Sequence, residues 1–218
     1  MPSLIYIADP MCSWCYGFGP ELAALLEGLP GGMPIEIMVG GLRPYATKPM
    51  DPALKTSLLE HWHKVADQTG LPFNDDGLSR EGFVYNTEPA CRAVVAARML
   101  APQLSMFVFH TIQRAFYAQG QDVTQGNVLA AIVTAALTEA GYPMDIETFL
   151  TVWNSDAAIA ATRDDFLQAE RWGITGFPTL VLERGGKLDL VTAGFVPMPK
   201  LINLLQEIVD RDPAITQN

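Results

Sequence analysis

Cysteine is scarce in this chain, with three in 218 residues. That is too few for a disulfide framework and fits a compartment where thiols stay reduced. Basic side chains are also few: 14 Lys and Arg stand against 24 Asp and Glu, and they form no cluster. Nucleic acid is therefore not an expected partner, and the formal charge of −10 reads as a solubility device. No apolar run reaches the ~18–20 residues of a membrane helix. The longest uncharged stretches, Met99 to Gln113 and Val123 to Thr138, are interrupted by Pro102 or by Gln and Asn, so no membrane partner is expected. The Met1-Pro2-Ser3 start has no positive side chain, and the apolar run after it stops at Asp9. It fails as a secretory signal, and a cytoplasmic location is the expectation. Apolar material is plentiful, at 49% of residues against 17% charged, enough for one large domain or one domain carrying an insertion.

Two of the three cysteines sit together in Cys12-Ser13-Trp14-Cys15. Leu4 to Ala8 reads as a short buried strand, Asp9-Pro10-Met11 as a turn, and Cys12 to Glu27 as a helix. Cys12 then lies at a helix N-terminus, where unpaired backbone N–H groups and the helix dipole favour thiolate over thiol. Cys15, one turn deeper on the same face, is placed to attack a mixed disulfide formed at Cys12. Pro20 falls inside that helix and is expected to kink it, separating the reactive first turn from the part that packs on a sheet.

The Pro30-Gly31-Gly32 turn and a strand over Ile35 to Val39 complete a βαβ unit. From about Asp51 to Trp172 the pattern becomes helical, with no convincing strand and no internal repeat. Leu54, Leu58, Trp62 and Val65 recur at helical spacing, as do Val94, Val95, Arg98 and Met99, then Phe107, Ile112 and Phe116, then Val128, Ala131, Ile132 and Ala135. Breaks at Gly70-Leu71-Pro72, Ala101-Pro102, Gly120 and Gly141-Tyr142-Pro143 imply five to seven helices. Strand character returns at Thr179 to Glu183 and Leu188 to Thr192, joined by Arg184-Gly185-Gly186 as a hairpin. Pro197 to Val209 closes the chain as an amphipathic helix presenting Leu201, Leu204, Leu205 and Ile208.

This order, βαβ, helices, then ββα, resembles the DsbA-like branch of the thioredoxin fold, and the likeness covers nearly the whole chain. It rests on Asp9-Pro10-Met11-Cys12-Ser13-Trp14-Cys15, on Pro20 five residues past the second cysteine, and on Gly173-Ile174-Thr175-Gly176-Phe177-Pro178-Thr179. The Asp-Pro-x-Cys-x-Trp-Cys form and Asn86-Thr87-Glu88-Pro89-Ala90-Cys91-Arg92 are more similar to the FrnE-like, predicted protein-disulfide-isomerase subgroup, which is cytoplasmic as a rule. The resemblance implies an α/β thioredoxin-like fold in three segments: residues 1–48, a helical insertion over 49–172, and residues 173–218. It also implies a cis peptide before Pro178, packed against the cysteine pair and exposing the Phe177 backbone to an extended substrate. DsbA carries a histidine between its cysteines, whereas Ser13 and Trp14 are uncharged, so a milder, more thioredoxin-like couple is expected.

The expected function is thiol–disulfide exchange on protein or low-molecular-weight disulfides, with Cys12 attacking and Cys15 resolving. Phe177, Pro178, Trp14 and Met11 are the candidate walls of the substrate groove, with Phe18 beside them. Trp14 has a second reading as an apolar contact to the helical block. Asp9 reads either as a helix cap or turn residue or as the proton acceptor for Cys15. Cys91 reads as a small buried hydrophobe, or as a third redox group if the helical block folds over Cys12. No cofactor is called for, with glutathione a candidate co-substrate. A zinc site would need two ligands beyond the pair, from Cys91, His61, His63 and His110, but His61 and His63 point to different faces of one helix. Two rival readings are a glutathione-dependent isomerase or transferase, similar to hydroxychromene-carboxylate isomerases and kappa-class glutathione transferases, and a non-catalytic peptide-binding or zinc-stabilised module. The former usually keep serine at the first cysteine position and lack the second.

Overall fold

The computed structural model describes residues 2–29 and 33–210, with side chains through residue 208. The Pro30-Gly31-Gly32 turn lies outside the described residues. Strand β1 (Ser3–Ala8) leads through Cys12 into helix α1 (Ser13–Gly28) and then to strand β2 (Ile35–Val39). Six α-helices follow: α2 (Pro52–Thr69), α3 (Glu88–Leu100), α4 (Ser105–Tyr117), α5 (Gly126–Glu139), α6 (Ile146–Trp153) and α7 (Asp156–Arg171). Strands β3 (Thr179–Arg184) and β4 (Lys187–Ala193) and helix α8 (Met198–Asp210) complete the fold. The helical insertion thus lies between β2 and β3, as the segment order implied. Helix α1 runs unbroken through Pro20.

The sheet order is β2-β1-β3-β4, with β1 parallel to β2 and antiparallel to β3. Period-2 alternation sorts its side chains between two layers. Leu4, Tyr6, Ile37, Val39, Leu180 and Leu182 face the main core with α1, α4 and α8. Ile7, Met38 and Val181 face the opposite side, where Ala169 of α7 covers them. A register shift between Leu180 and Val181 skips Val191, so Leu188 and Leu190 lie on the outer face of the edge strand β4, 40% and 60% exposed. Helix α7 is tied to the end of β2 by a carboxylate: Asp165 accepts from the Val39 amide at 3.0 Å and pairs with both terminal nitrogens of Arg98, at 2.9 and 3.1 Å.

Local chemistry explains the helix limits. Asp51 caps α2 by accepting from the Leu54 amide at 2.8 Å, with Pro52 at the first helical position and Gly70 (φ 72°) ending it in the left-handed region. Asp145 and Ser155 cap α6 and α7 in the same way.

Three expected helix faces differ in part from those observed. In α5 the buried residues are Leu129, Ala130, Val133, Thr134, Ala136 and Leu137, while Ala131 and Ala135 are exposed and Val128 and Ile132 are half-buried. The helix is apolar nearly all round, so periodicity carries little phase information there. Met99 and Phe107 are also exposed, at 47% and 41%, and Arg98 serves the Asp165 pair instead of the core.

Candidate active site

The turn between β1 and α1 is built by Asp9. Its carbonyl accepts from the Cys12 amide at 3.0 Å, and its Oδ1 accepts from the Met11 amide at 2.8 Å. Its Oδ2 reaches across to the Leu42 amide at 2.6 Å and receives the Cys91 thiol at 3.4 Å. Asp9 is thus a turn residue that also pins the segment after β2. It is not the helix cap, because the N-cap position is Cys12, which makes no side-chain capping bond.

Cys12 is 5% exposed and Cys15 and Cys91 are fully buried; all three are free thiols. The Cys12 thiol donates to the carbonyl of Phe177 at 3.6 Å, and the Phe177–Pro178 peptide is cis. The start of helix α1 and the segment entering β3, 165 residues apart in sequence, therefore meet at the Cys12 sulfur. Phe177 is seated against Gly40: a Cβ there would lie 2.0 Å from the ring.

Burial pushes the Cys15 thiol well above its ordinary range, and the neighbouring Cys12 pushes it further. The Asp9 backbone acts the other way, while the Asp9 charge adds to the rise. Asp9 itself is raised by burial, opposed by the Leu42 and Met11 amides, Thr87 and the Cys91 thiol. Cys91 is raised by burial and then by Asp9. Burial is thus the main cause at both Cys15 and Asp9, and the Asp9 charge is a lesser contribution to the Cys15 rise.

Of the expected groove residues, Phe177 and Trp14 line open space; Pro178 is buried, and Met11 and Phe18 do not line it either. Both of the latter are fully buried, because the Asp9 turn directs Met11 into the core and Phe18 packs on Tyr6. Trp14 packs on Phe195 with ring centres 5.6 Å apart and the planes tilted by 52°, and it lies under the Lys64 ammonium at 5.9 Å. It therefore touches the helical block and also walls a cavity of about 310 Å³ shared by Lys64, Gln68, Phe177 and Phe195. Cys91 lies under the site without reaching solvent.

Several residues had no signal in the sequence. Lys64 and Gln68 are ordinary polar positions of α2 until the fold brings that helix to Trp14. Tyr85 donates to the Met11 carbonyl and Tyr6 to the Cys15 carbonyl at 3.4 Å, so two buried hydroxyls brace the backbone of the dithiol turn. Thr87 accepts from the Arg43 amide at 3.1 Å, while Asn86 accepts from the Tyr45 amide at 2.9 Å. The Asn86 to Arg92 segment thereby clasps the strand exit that Asp9 also holds. His63 pairs with Asp75 at 2.9 Å on the surface, a carboxylate partner that sequence proximity did not show. Among the described residues, no group of three His, Cys, Asp or Glu side chains is arranged to hold a metal ion, and no helix is long and apolar enough to cross a membrane.

Comparison with known proteins agrees with this architecture. A candidate protein disulfide isomerase from Nitrosomonas europaea is 38% identical, covers 97% of this chain and 98% of its own, and superposes with a TM-score of 0.86. The cytosolic disulfide reductase DsbM from Pseudomonas aeruginosa is 28% identical, with 94% and 98% coverage and a TM-score of 0.74. DsbM is also known with GSH, in a structure 26% identical at a TM-score of 0.73, covering 94% and 98%. Among curated proteins, the ClpXP adapter protein SpxH from Shouchella clausii is 20% identical over 208 residues, and the chain spans 66% of its length. Residues 4–206 match the DSBA-like thioredoxin domain. The chain belongs to the DSBA-like thioredoxin-domain family, a DsbA-like thiol–disulfide oxidoreductase by fold and by thiol pair.

Proposed function

We propose that the chain reduces or isomerises disulfides in the cytoplasm through Cys12 and Cys15, with glutathione as a recycling thiol. The observation that carries this reading is the 3.6 Å approach of the Cys12 sulfur to the Phe177 carbonyl, with Cys15 one turn deeper and buried. Cys12, once deprotonated, attacks one sulfur of a substrate disulfide; that S–S bond breaks, a mixed disulfide forms, and the first product leaves as a thiol after taking up a proton. Cys15 then attacks the Cys12 sulfur, expels the second thiol, and leaves a Cys12–Cys15 disulfide. Two protein thiols are oxidised as one substrate disulfide is reduced.

Cys15 must lose its proton for the second step, and Asp9 is the acceptor we assign. Its carboxyl is buried and raised, which makes it a better proton acceptor than an exposed carboxylate, and neutralising it removes a charge that opposes the Cys15 thiolate. Two glutathione thiols would then reduce the Cys12–Cys15 disulfide and leave as glutathione disulfide. The cavity holding Lys64 supports this part, since it offers a cation for a carboxylate beside Trp14; the DsbM relative with GSH supports it independently.

The test is turnover of a disulfide substrate with glutathione. Cys12→Ser should abolish it, and Cys15→Ser should accumulate the Cys12 mixed disulfide. Full dithiol turnover in Cys12→Ser would refute the assignment.

A further inference from the structure

Cys91 is a buried thiol that the exchange steps above leave unused. It lies at the start of α3, fully buried, and its sulfur approaches Asp9 Oδ2 at 3.4 Å. Its position is set from two sides: its amide donates to the Thr87 carbonyl at 3.0 Å, and the Gly41 amide faces its sulfur. The thiol proton is thereby left to point at the carboxylate. Thr87 Oγ1 accepts from the Arg43 amide at 3.1 Å, and its own proton is likewise left for Asp9.

A fully buried carboxyl prefers to be neutral, and a neutral carboxyl is not a base. What favours the ionised form of Asp9 is its donor set: the Met11 and Leu42 amides at 2.8 and 2.6 Å, the Cys91 thiol and the Thr87 hydroxyl. The amides belong to the backbone and stay in place under most substitutions. Cys91 and Thr87 are the side-chain donors, so they are where the sequence sets the proton affinity of Asp9. They also rotate, donating to the ionised carboxylate and turning aside when a proton arrives. The other ionisable groups facing this cluster are Cys15 of α1, Arg43, Tyr45 and Tyr85 of the segment between β2 and α3, Glu88 of α3 and Tyr117 of α4. Burial pushes Cys15 and the three tyrosines up, which favours their neutral forms, and Glu88 pairs with Arg92 at 2.8 Å.

We propose that Cys91 is a positioning residue for the resolving step: its thiol donates to Asp9 Oδ2 and holds that carboxylate ionised and oriented to take the Cys15 proton. As the proton moves from the Cys15 sulfur to Asp9, Cys15 attacks the Cys12 sulfur and the Cys12–substrate S–S bond breaks. The departing thiolate takes up a proton from water, and Cys91 stays a thiol throughout. The inference rests on Asp9 as the acceptor proposed above and adds the residue that sets its proton affinity.

The test follows the aryl thiolates released from one equivalent of dithiobis-nitrobenzoate by the reduced protein in a stopped flow, across pH. Cys12 releases the first and Cys15 the second. Cys12 is held in the mixed disulfide during the second phase, so its own ionisation does not enter, and the pH of half-maximal rate reads Asp9. Cys91→Ala should move that midpoint up by about one unit, the scale of one hydrogen bond to a charge. Cys91→Ser, nearly the same size and a stronger donor, should return it to the wild-type position or below. Thr87→Val, which leaves Cys91 in place, should also move it up. A midpoint unmoved in Cys91→Ala, or moved equally in Cys91→Ala and Cys91→Ser, would overturn the proposal; a profile flattened by Asp9→Asn would then still keep Asp9 as the acceptor. An Asp9→Asn profile identical to the wild type would remove Asp9 from the proton path and this inference with it. Second-phase release that survives Cys15→Ser would sink the dithiol reading itself.

Discussion

The sulfur of Cys12 lies 3.6 Å from the carbonyl oxygen of Phe177, while Cys15, three residues on, is sealed from solvent. One thiol keeps a small exposed surface and the other faces the core. Native reduced protein treated briefly with iodoacetamide near neutral pH should therefore take one adduct, at Cys12, because the Cys15 and Cys91 thiols are buried and pushed up by burial. In guanidinium chloride three adducts should appear. Mass spectrometry of the peptides reads both outcomes, and early labelling at Cys91 would contradict this arrangement.

Gly40 leaves room for the Phe177 ring. It sits at the end of β2, where its amide donates to the Ala8 carbonyl at 2.8 Å, and any Cβ would collide with that ring at 2.0 Å. Gly40→Ala should displace Phe177 at a stability cost of about 1–3 kcal/mol. It should also lower kcat/KM for a peptide disulfide by about tenfold or more, since this wall of the cavity beside Trp14 moves. Denaturant unfolding and steady-state kinetics check the two parts separately.

Asp9, the proposed proton acceptor, makes stability depend on pH. Its folded-state pKa is raised above 3.8, so the folded protein binds this proton more tightly than the unfolded chain does. The stability it contributes is fully present below about pH 3.8 and is lost as pH rises through the folded value. Asp9→Asn should flatten that segment of the Tm-versus-pH curve. It should also slow release of the mixed disulfide by about 100-fold, the lower end for losing a general base. Stopped-flow decay of a trapped Cys12 adduct at several pH values measures the second effect; an unchanged rate and pH profile would remove Asp9 from the proton path.

Lys64 sits 5.9 Å from the Trp14 ring centre on an exposed helix face. Lys64→Glu should raise KM for glutathione about three- to tenfold at low ionic strength and less at high salt, as expected for an exposed charge contact. Peptide disulfide reduction should change little. Equal effects on both would place Lys64 outside the glutathione side of the site.

Asp165 holds three elements at once, through Arg98 on α3, the Val39 amide of β2 and its own helix α7. Asp165→Ala leaves a part-buried guanidinium and a strand-end amide without this partner. It should destabilise the protein by about 2–4 kcal/mol, read from urea unfolding.

Much of the fold was readable along the chain because its signals are local. β2 was expected at Ile35 to Val39 and is found there; β1, the hairpin and α8 are displaced by a residue or two at their ends. Alternation in Leu4 to Ala8, the Gly185-Gly186 turn and the Leu201, Leu205, Ile208 stripe of α8 each lie within a few residues of their cause. The face of α5 was misread for the opposite reason: an Ala- and Val-rich helix has no polar side to mark its phase, and its burial is decided by α3, α4 and α6 packed against it.

The same division runs through the site. By itself the sequence determined the dithiol, its place at a helix start, and the Phe177-Pro178 segment, because spacing of three and a strand-entry proline are properties of contiguous residues. Only the tertiary structure decided that Met11 is buried and that Asp9 spans to Leu42 and Cys91. It likewise decided that Tyr85 braces the dithiol turn, and that Lys64 shares a cavity with Phe177. Those contacts join residues tens to more than a hundred positions apart, and burial and proton affinity at each depend on what the far segment brings, which no local pattern encodes.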